Sequence, residues 1–131
     1  MIKIRLATPD DADQIEQITR VLVSEKQEKF DDKRFEWGML RRLYDPLQRN
    51  GFFIAEHLPD YVEEDQNTKT GKIIGIGFAE LRVDPFGRSE AYIKQLYVAK
   101  EFRNQGIGQN ILSHTLKHLE NMEIQIVQAF I

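Results

Sequence analysis

The sequence predicts an α/β (α+β) fold, a mixed and mostly antiparallel sheet flanked by helices, on three observations. The first residues alternate, apolar at Ile2, Ile4 and Leu6 and charged at Lys3 and Arg5, which is the period of a half-buried strand. Two apolar runs in the middle, Phe52 to Glu56 and Lys72 to Val83, read as an antiparallel hairpin. The last third couples a strand, a glycine-bearing turn and an amphipathic helix, and then returns to an apolar run. The implied order is β-α-α-β-β-β-α-β.

After the opening strand, Thr8-Pro9-Asp10-Asp11 reads as a helix cap with proline in the first turn. The helix it starts should run from about Asp10 to about Ser24, with Ala12, Ile15, Ile18 and Leu22 as its buried stripe. Phe35, Met39 and Leu43 mark a second helix, and Asn50-Gly51 a turn into the hairpin. The connection from Leu58 to Gly71 is polar, with Glu63-Glu64-Asp65 and Asn67-Thr68-Lys69-Thr70; a mobile solvated loop is the expectation, a substrate lid the sharper alternative. Asp84-Pro85-Phe86-Gly87 turns the chain into the next strand, and Glu123 to Ile131 supplies a final one.

Size and composition bound the function. At 131 residues and 15.4 kDa, with 41% hydrophobic and 30% charged residues, the chain supports one core, so residues 1–131 should form a single domain. A net charge of -3 offers no broad basic surface, and nucleic acid is not an expected partner. The lack of cysteine rules out disulfides, thiolate metal sites and a cysteine nucleophile. No apolar run approaches the length of a signal core or a membrane span, so the expectation is a soluble cytoplasmic protein with no membrane partner.

The segment from Tyr92 to Met122 carries the chemistry. Leu96-Tyr97-Val98 ends a strand, Arg103-Asn104-Gln105-Gly106-Ile107-Gly108 makes the turn, and Ile111, Leu112, Thr115, Leu116 and Leu119 fall on one helical face. The turn therefore sits at a helix start, where free backbone N–H groups and the positive end of the helix dipole attract phosphate. Glycine at 106 and 108 lets the main chain come close to an anion.

This segment resembles motif A of the GNAT family of N-acetyltransferases, whose pattern is Gln or Arg, two residues, Gly, one residue, then Gly or Ala; here Arg103, Gly106 and Gly108 stand in those places. The strand ending in Leu96-Tyr97-Val98 and the Glu101-Phe102 lead-in match as well. The resemblance implies a GNAT-like acyl-CoA N-acyltransferase fold, acetyl-CoA as cosubstrate, and an amine on a small molecule, peptide or protein as acceptor. It implies that Leu96, Tyr97 and Val98 line the pantetheine arm, with main-chain groups of Leu96 and Val98 bonding to it. Amides from Arg103 through Asn104, Gln105, Gly106, Ile107, Gly108 and Gln109 would surround the diphosphate. Arg103 either contacts phosphate or braces the turn against a carbonyl.

Relatives often place a base where this chain has Lys94 or Gln95, neither of which is acidic. Glu80 and Glu90 are the substitutes, each also readable as a solvated strand carboxylate, and Tyr97 could approach the thioester. The resemblance further implies a helix and two strands after the last strand, with a tyrosine that protonates the leaving thiolate; this sequence ends at Ile131 before them. The apolar final strand would be a bare edge, and a homodimer through it is one expectation. A non-catalytic acyl-CoA-binding sensor on the same fold is the alternative function.

Other features take plainer readings. His114 and His118 lie four apart without the glutamate of a zinc helix, so a solvated face is expected and no metal site. His57 reads as a surface residue and Trp37 as a core or rim aromatic. Gly71, Gly75 and Gly77 fail as a dinucleotide fingerprint because no capped helix follows, and are read as close packing or a bulge.

Overall fold

The computed structural model describes residues 1–59 and 71–129. Strand β1 (Ile2–Leu6) turns Ile2, Ile4 and Leu6 to one face of the sheet, as its alternation requires. A 3-10 turn at Pro9–Asp11 then leads into helix α1 (Ala12–Glu25). The Thr8 amide donates to Asp11 Oδ2 at 2.8 Å, and proline at the first turn has no N–H that needs a partner. Arg5 joins three elements: its Nη atoms donate to both Asp11 oxygens at 2.8 Å, and its Nε donates to Glu56 Oε2 at 2.8 Å. Burial pushes the Asp11 carboxyl up, but the Arg5 guanidinium and the Thr8 amide outweigh it and hold the group below its ordinary range.

Helix α2 (Asp32–Gly38) is capped by Asp31, whose side chain accepts from the Arg34 amide at 3.0 Å. The single helix expected through Phe35, Met39 and Leu43 instead stops at Gly38, a poor helix former, and a separate 3-10 turn at Leu40–Leu43 carries Leu43 into the core. Trp37 is 58% exposed rather than core or rim, because it stands two residues from buried Phe35 and so on another side of a short helix.

Strands β2 (Phe52–His57), β3 (Lys72–Val83), β4 (Ser89–Val98) and β5 (Ile126–Ala129) complete one five-stranded sheet in the order β1-β2-β3-β4-β5. The first four are antiparallel neighbours, and β5 runs parallel to β4 after helix α3 (Ile107–Asn121). The sheet is therefore mixed and mostly antiparallel, as predicted. Residues 60–70, for which a mobile loop or a lid was weighed, lie outside the described residues. The last strand starts at Ile126 rather than Glu123: Glu123 takes a positive φ of 61°, and the Ile124 amide closes back on the Leu119 carbonyl at 3.1 Å to end α3.

Helices α1 and α2 pack on one face over Phe52, Ile54, Ile76, Phe78 and Tyr97. Helix α3 packs on the other over Phe53, Ala55 and Ile74. Its buried stripe is Ile107, Ile111, Thr115 and Leu119, a row of i,i+4 positions, and Leu116 falls outside it at 42% exposed. The helix lies close to the sheet: a Cβ at Gly77 would stand 2.5 Å from Ile111 Cγ2. On the other face of α3, His114 is exposed as expected, and His118 departs from the expectation. His118 is half-buried, with Nε2 3.2 Å from Asn50 Oδ1 and its ring edge-on to Phe53. His57 is likewise half-buried, its ring centroid 5.2 Å from that of Phe102.

Candidate functional site

The site is organised by a break in the pairing of β4. Against β3, Gln95 stands opposite Phe78 and Ile93 opposite Ala79, so Lys94 is the extra residue of a β-bulge. The bulge inverts the faces of the strand. Before it, Ala91 packs toward α3 with Leu119; after it, Leu96 and Val98 pack toward α3 and Tyr97 toward α1. Lys94 and Gln95 consequently share the α1 side of the sheet.

The other edge of β4 is only half paired. Strand β5 matches Glu90–Ile93 alone, and no described strand pairs with residues 94–98 on that side. The Ala99 amide donates to the Ile74 carbonyl at 2.7 Å, which makes Val98 and Gly75 a non-hydrogen-bonded pair and turns the main-chain groups of Val98, and of Leu96 two residues earlier, away from β3. Tyr97 has the opposite phase, with its main chain directed to Ile76 on β3. The Val98 carbonyl accepts from Arg103 Nε at 2.9 Å; the other outward main-chain groups of Leu96 and Val98 need hydrogen-bond partners, and an extended ligand laid beside them would supply these.

At the end of this edge, a 3-10 turn at Lys100–Phe102 and positive φ angles at Asn104 (65°) and Gly106 (77°) swing the chain into α3. Gly106 needs its glycine for that angle. The first-turn amides of Ile107, Gly108 and Gln109 have no intrahelical acceptor, and that turn holds no acidic side chain to compete for them. At Gly108 a Cβ would meet the Val98 and Leu96 side chains at 3.8 and 3.9 Å, ordinary contact, so protein packing alone does not demand glycine. These features fit an anionic group at the head of α3.

Arg103 braces the turn. Its Nε donates to the Val98 carbonyl at 2.9 Å and its Nη2 to Glu25 Oε2, at the end of α1, at 2.7 Å. That bond holds the Glu25 carboxyl below its ordinary range. Tyr97 lies beneath α1, 6% exposed, with its hydroxyl buried and its ring centroid 5.4 Å from the Arg103 guanidinium. Burial first, and then the charge of Glu25, push its phenol up. Tyr97 lines a cleft of about 330 Å³ between α1 and the ends of β3 and β4, beside Gln14, Val21, Lys72 and Lys100 rather than at the bulge.

Of the candidate carboxylates, Glu80 is the one in contact with the bulge. Its carboxylate is ion-paired with the Lys94 ammonium and lies 3.6 Å from Arg82 Nη2. The Lys94 bond, opposed by burial and reinforced by the charges of Lys94, Arg82 and Arg42, holds Glu80 below the usual carboxylate range, so it is ionised at neutral pH. Glu90 stands at the start of the strand and accepts from the Tyr92 hydroxyl at 2.6 Å. Among the described residues no group of three or more histidines, aspartates and glutamates stands close enough to hold a metal, and no helix is long and apolar enough to cross a membrane.

The motif residues mark the turn and the strand edge, but not the bulge, the Glu25 partner of Arg103 or the place of Arg42 over the Phe78 ring. The bulge had a signal: apolar residues occupy odd positions at Ala91 and Ile93 and even ones at Leu96 and Val98, a slip of one in the alternation. Glu25 and Arg42 had none, since each meets the site only through tertiary packing.

The sequence profile described as Acetyltransferase (GNAT) family matches residues 15–131. Among solved structures, a protein described as a possible acetyltransferase from Clostridium difficile 630 superposes with a TM-score of 0.75 at 19% identity, over 100% of this chain and 80% of that one. An aminoglycoside acetyltransferase from an uncultured soil metagenomic sample, in complex with sisomicin, gives 0.67 at 17% identity over 99% and 77%. A ribosomal-protein-alanine N-acetyltransferase from Brucella melitensis gives 0.65 at 16% identity over 98% and 80%. No curated protein sequence matches the chain.

Proposed function

Because the chain belongs to the GNAT acetyltransferase family, we propose that it transfers an acetyl group from acetyl-CoA to a primary amine by direct attack. One observation carries this reading: the main chain of Leu96 and Val98 faces an edge that no described strand covers and that leads straight to the N-terminus of α3. An extended arm ending in a diphosphate matches that edge in shape and in charge. Leu96 and Val98 would hold the arm, and the amides of residues 103–109 the diphosphate. Acetyl-CoA supplies the activated thioester.

The chain's own groups account for three tasks. A main-chain amide freed by the bulge at Lys94 donates toward the thioester carbonyl, where negative charge develops. The basic side chains around the bulge lower the proton affinity of an arriving ammonium and so favour the neutral amine. Glu80, ionised and in contact with the bulge residue, accepts the amine proton directly or through water. Of the candidates Glu80, Glu90 and Tyr97, it is the one whose side chain touches Lys94.

The test combines calorimetry of CoA binding with thiol release from acetyl-CoA in the presence of amino acids, polyamines, aminoglycosides and peptide N-termini. Saturable binding together with turnover of at least one amine is the expected result. Saturable binding without turnover would replace this reading by a non-catalytic acyl-CoA-binding module, and no binding by folded protein would end both.

A further inference from the structure

The side of the sheet from which an acceptor can reach the bulge has a distinct charge pattern. On the α3 side the way is closed, since Ile107 and Ile111 pack against Leu96 and Val98, and Leu119 covers Ala91. On the α1 side, beyond the end of the Leu40–Leu43 turn, the sheet presents Glu80, Arg82, Tyr92 and Lys94, with Arg42 beside them. Glu80 is matched by Lys94 and Arg82, and Arg82 also lies over the Tyr92 ring at 5.0 Å.

Arg42 is left over. Its guanidinium is stacked 4.6 Å from the Phe78 ring centroid, and among the described residues no carboxylate is hydrogen-bonded or ion-paired to it, although its charge helps to lower the Glu80 pKa. Its planar fork of N–H donors is therefore held in place by an aromatic face while no carboxylate of the described residues occupies it. Phe78 is the strand partner of Gln95, so Arg42 stands over the neighbouring strand at the level of the bulge.

We propose that Arg42 selects the acceptor, and that the acceptor is a small primary amine carrying a carboxylate a few bonds from its nitrogen. This rests on the transferase reading above. With the amine at the bulge on β4 and the carboxylate on a guanidinium over β3, the two groups of the acceptor are separated by about one strand spacing, roughly 5 Å. Free amino acids have that span. Polyamines and aminoglycosides would instead bring further positive charge against Arg42, Arg82 and Lys94, a repulsion that discriminates against them.

The experiment compares amine acceptors matched except for the anion: glycine with glycinamide, β-alanine with β-alaninamide, and spermidine and sisomicin as cationic controls. Calorimetry of CoA binding is run on the same samples. In the unaltered protein the acid should exceed its amide in kcat/KM by about 10- to 100-fold, the range expected for a charge-assisted bond pair. Arg42→Gln, which keeps a planar group over Phe78 and removes the charge, should collapse that ratio toward one while the KM for acetyl-CoA stays unchanged. Circular dichroism checks that the variant is folded, and Arg42→Lys should recover only part of the preference. Amides or polyamines used as well as the acids, or a ratio unmoved by Arg42→Gln, would overturn this assignment alone. Normal CoA binding with turnover of peptide N-termini but of none of these acceptors would overturn this assignment alone, and turnover of no amine at all would overturn it together with the transferase reading.

Discussion

The guanidinium of Arg103 donates to the carboxylate of Glu25 at 2.7 Å across 78 residues of sequence, and through Nε to the Val98 carbonyl at 2.9 Å. One side chain thus joins the end of α1, the end of β4 and the first residue of the glycine turn. Both partners of the ion pair are well solvated, with side chains 41% and 34% exposed, so its value for stability is small. Its consequence is positional: the cation sits beside the head of α3 with its charge already matched.

That pairing makes opposite predictions for its two members. Arg103→Ala removes a cation next to the amides of α3 and should weaken CoA binding on the order of 10-fold, with little change in Tm. Glu25→Gln removes the counter-charge and leaves Arg103 on Val98, so CoA should bind a few-fold tighter by calorimetry. Equal weakening by both substitutions would show that Arg103 acts only as the brace of the turn and not as a phosphate contact as well.

The Glu80–Lys94 pair predicts a pH effect. Lys94 holds the Glu80 carboxyl below its ordinary range, so the ionised form, and the stability the pair adds, is present above the unfolded carboxylate pKa and lost as pH falls through the lowered one. Lys94→Ala lets the Glu80 pKa rise, and the acid limb of kcat/KM against pH should move upward. Glu80→Gln should abolish that limb and lower kcat by roughly 10²-fold, the lower end for loss of a proton acceptor. An acid limb unchanged by both would exclude Glu80 from proton transfer.

Packing of α3 yields a stability prediction. Gly77→Ala would drive a methyl to 2.5 Å from Ile111 Cγ2, between a helix and a sheet that are both anchored. The cost should be about 1–3 kcal/mol, read as a lower midpoint in urea. Gly108→Ala meets only ordinary contacts and should leave that midpoint nearly unchanged, so any loss of CoA affinity it causes is a direct effect on the site.

Much of this was legible in the residues. Strand β3 runs over Lys72–Val83 as the apolar run proposed, and the turn at Arg103–Gly108 opens α3 as its glycines and the following apolar stripe required. Local periodicity and turn chemistry act within a few residues, which is why they can be read in order along the chain. The second helix was overextended because the spacing of Phe35, Met39 and Leu43 is equally well met by a short helix followed by a 3-10 turn. Trp37, His57 and His118 were misplaced for a different reason: their surroundings are made by Asn50, Phe53, Phe102 and the open side of α2, none of which is set by neighbouring sequence. At the site, the pairing of Arg103 with Glu25 and the position of Arg42 over Phe78 are long-range in the same sense.

The extra residue at Lys94 imposes a parity rule on the chain. Removing one residue between Ile93 and Gln95 would leave the strand continuous but would exchange inside for outside along everything that follows, sending Tyr97 toward α3 and the Leu96 and Val98 side chains into the space beneath α1. Single insertions and deletions at this point should therefore be as damaging as loss of a core residue, whereas changes of two residues would preserve which way every later side chain points.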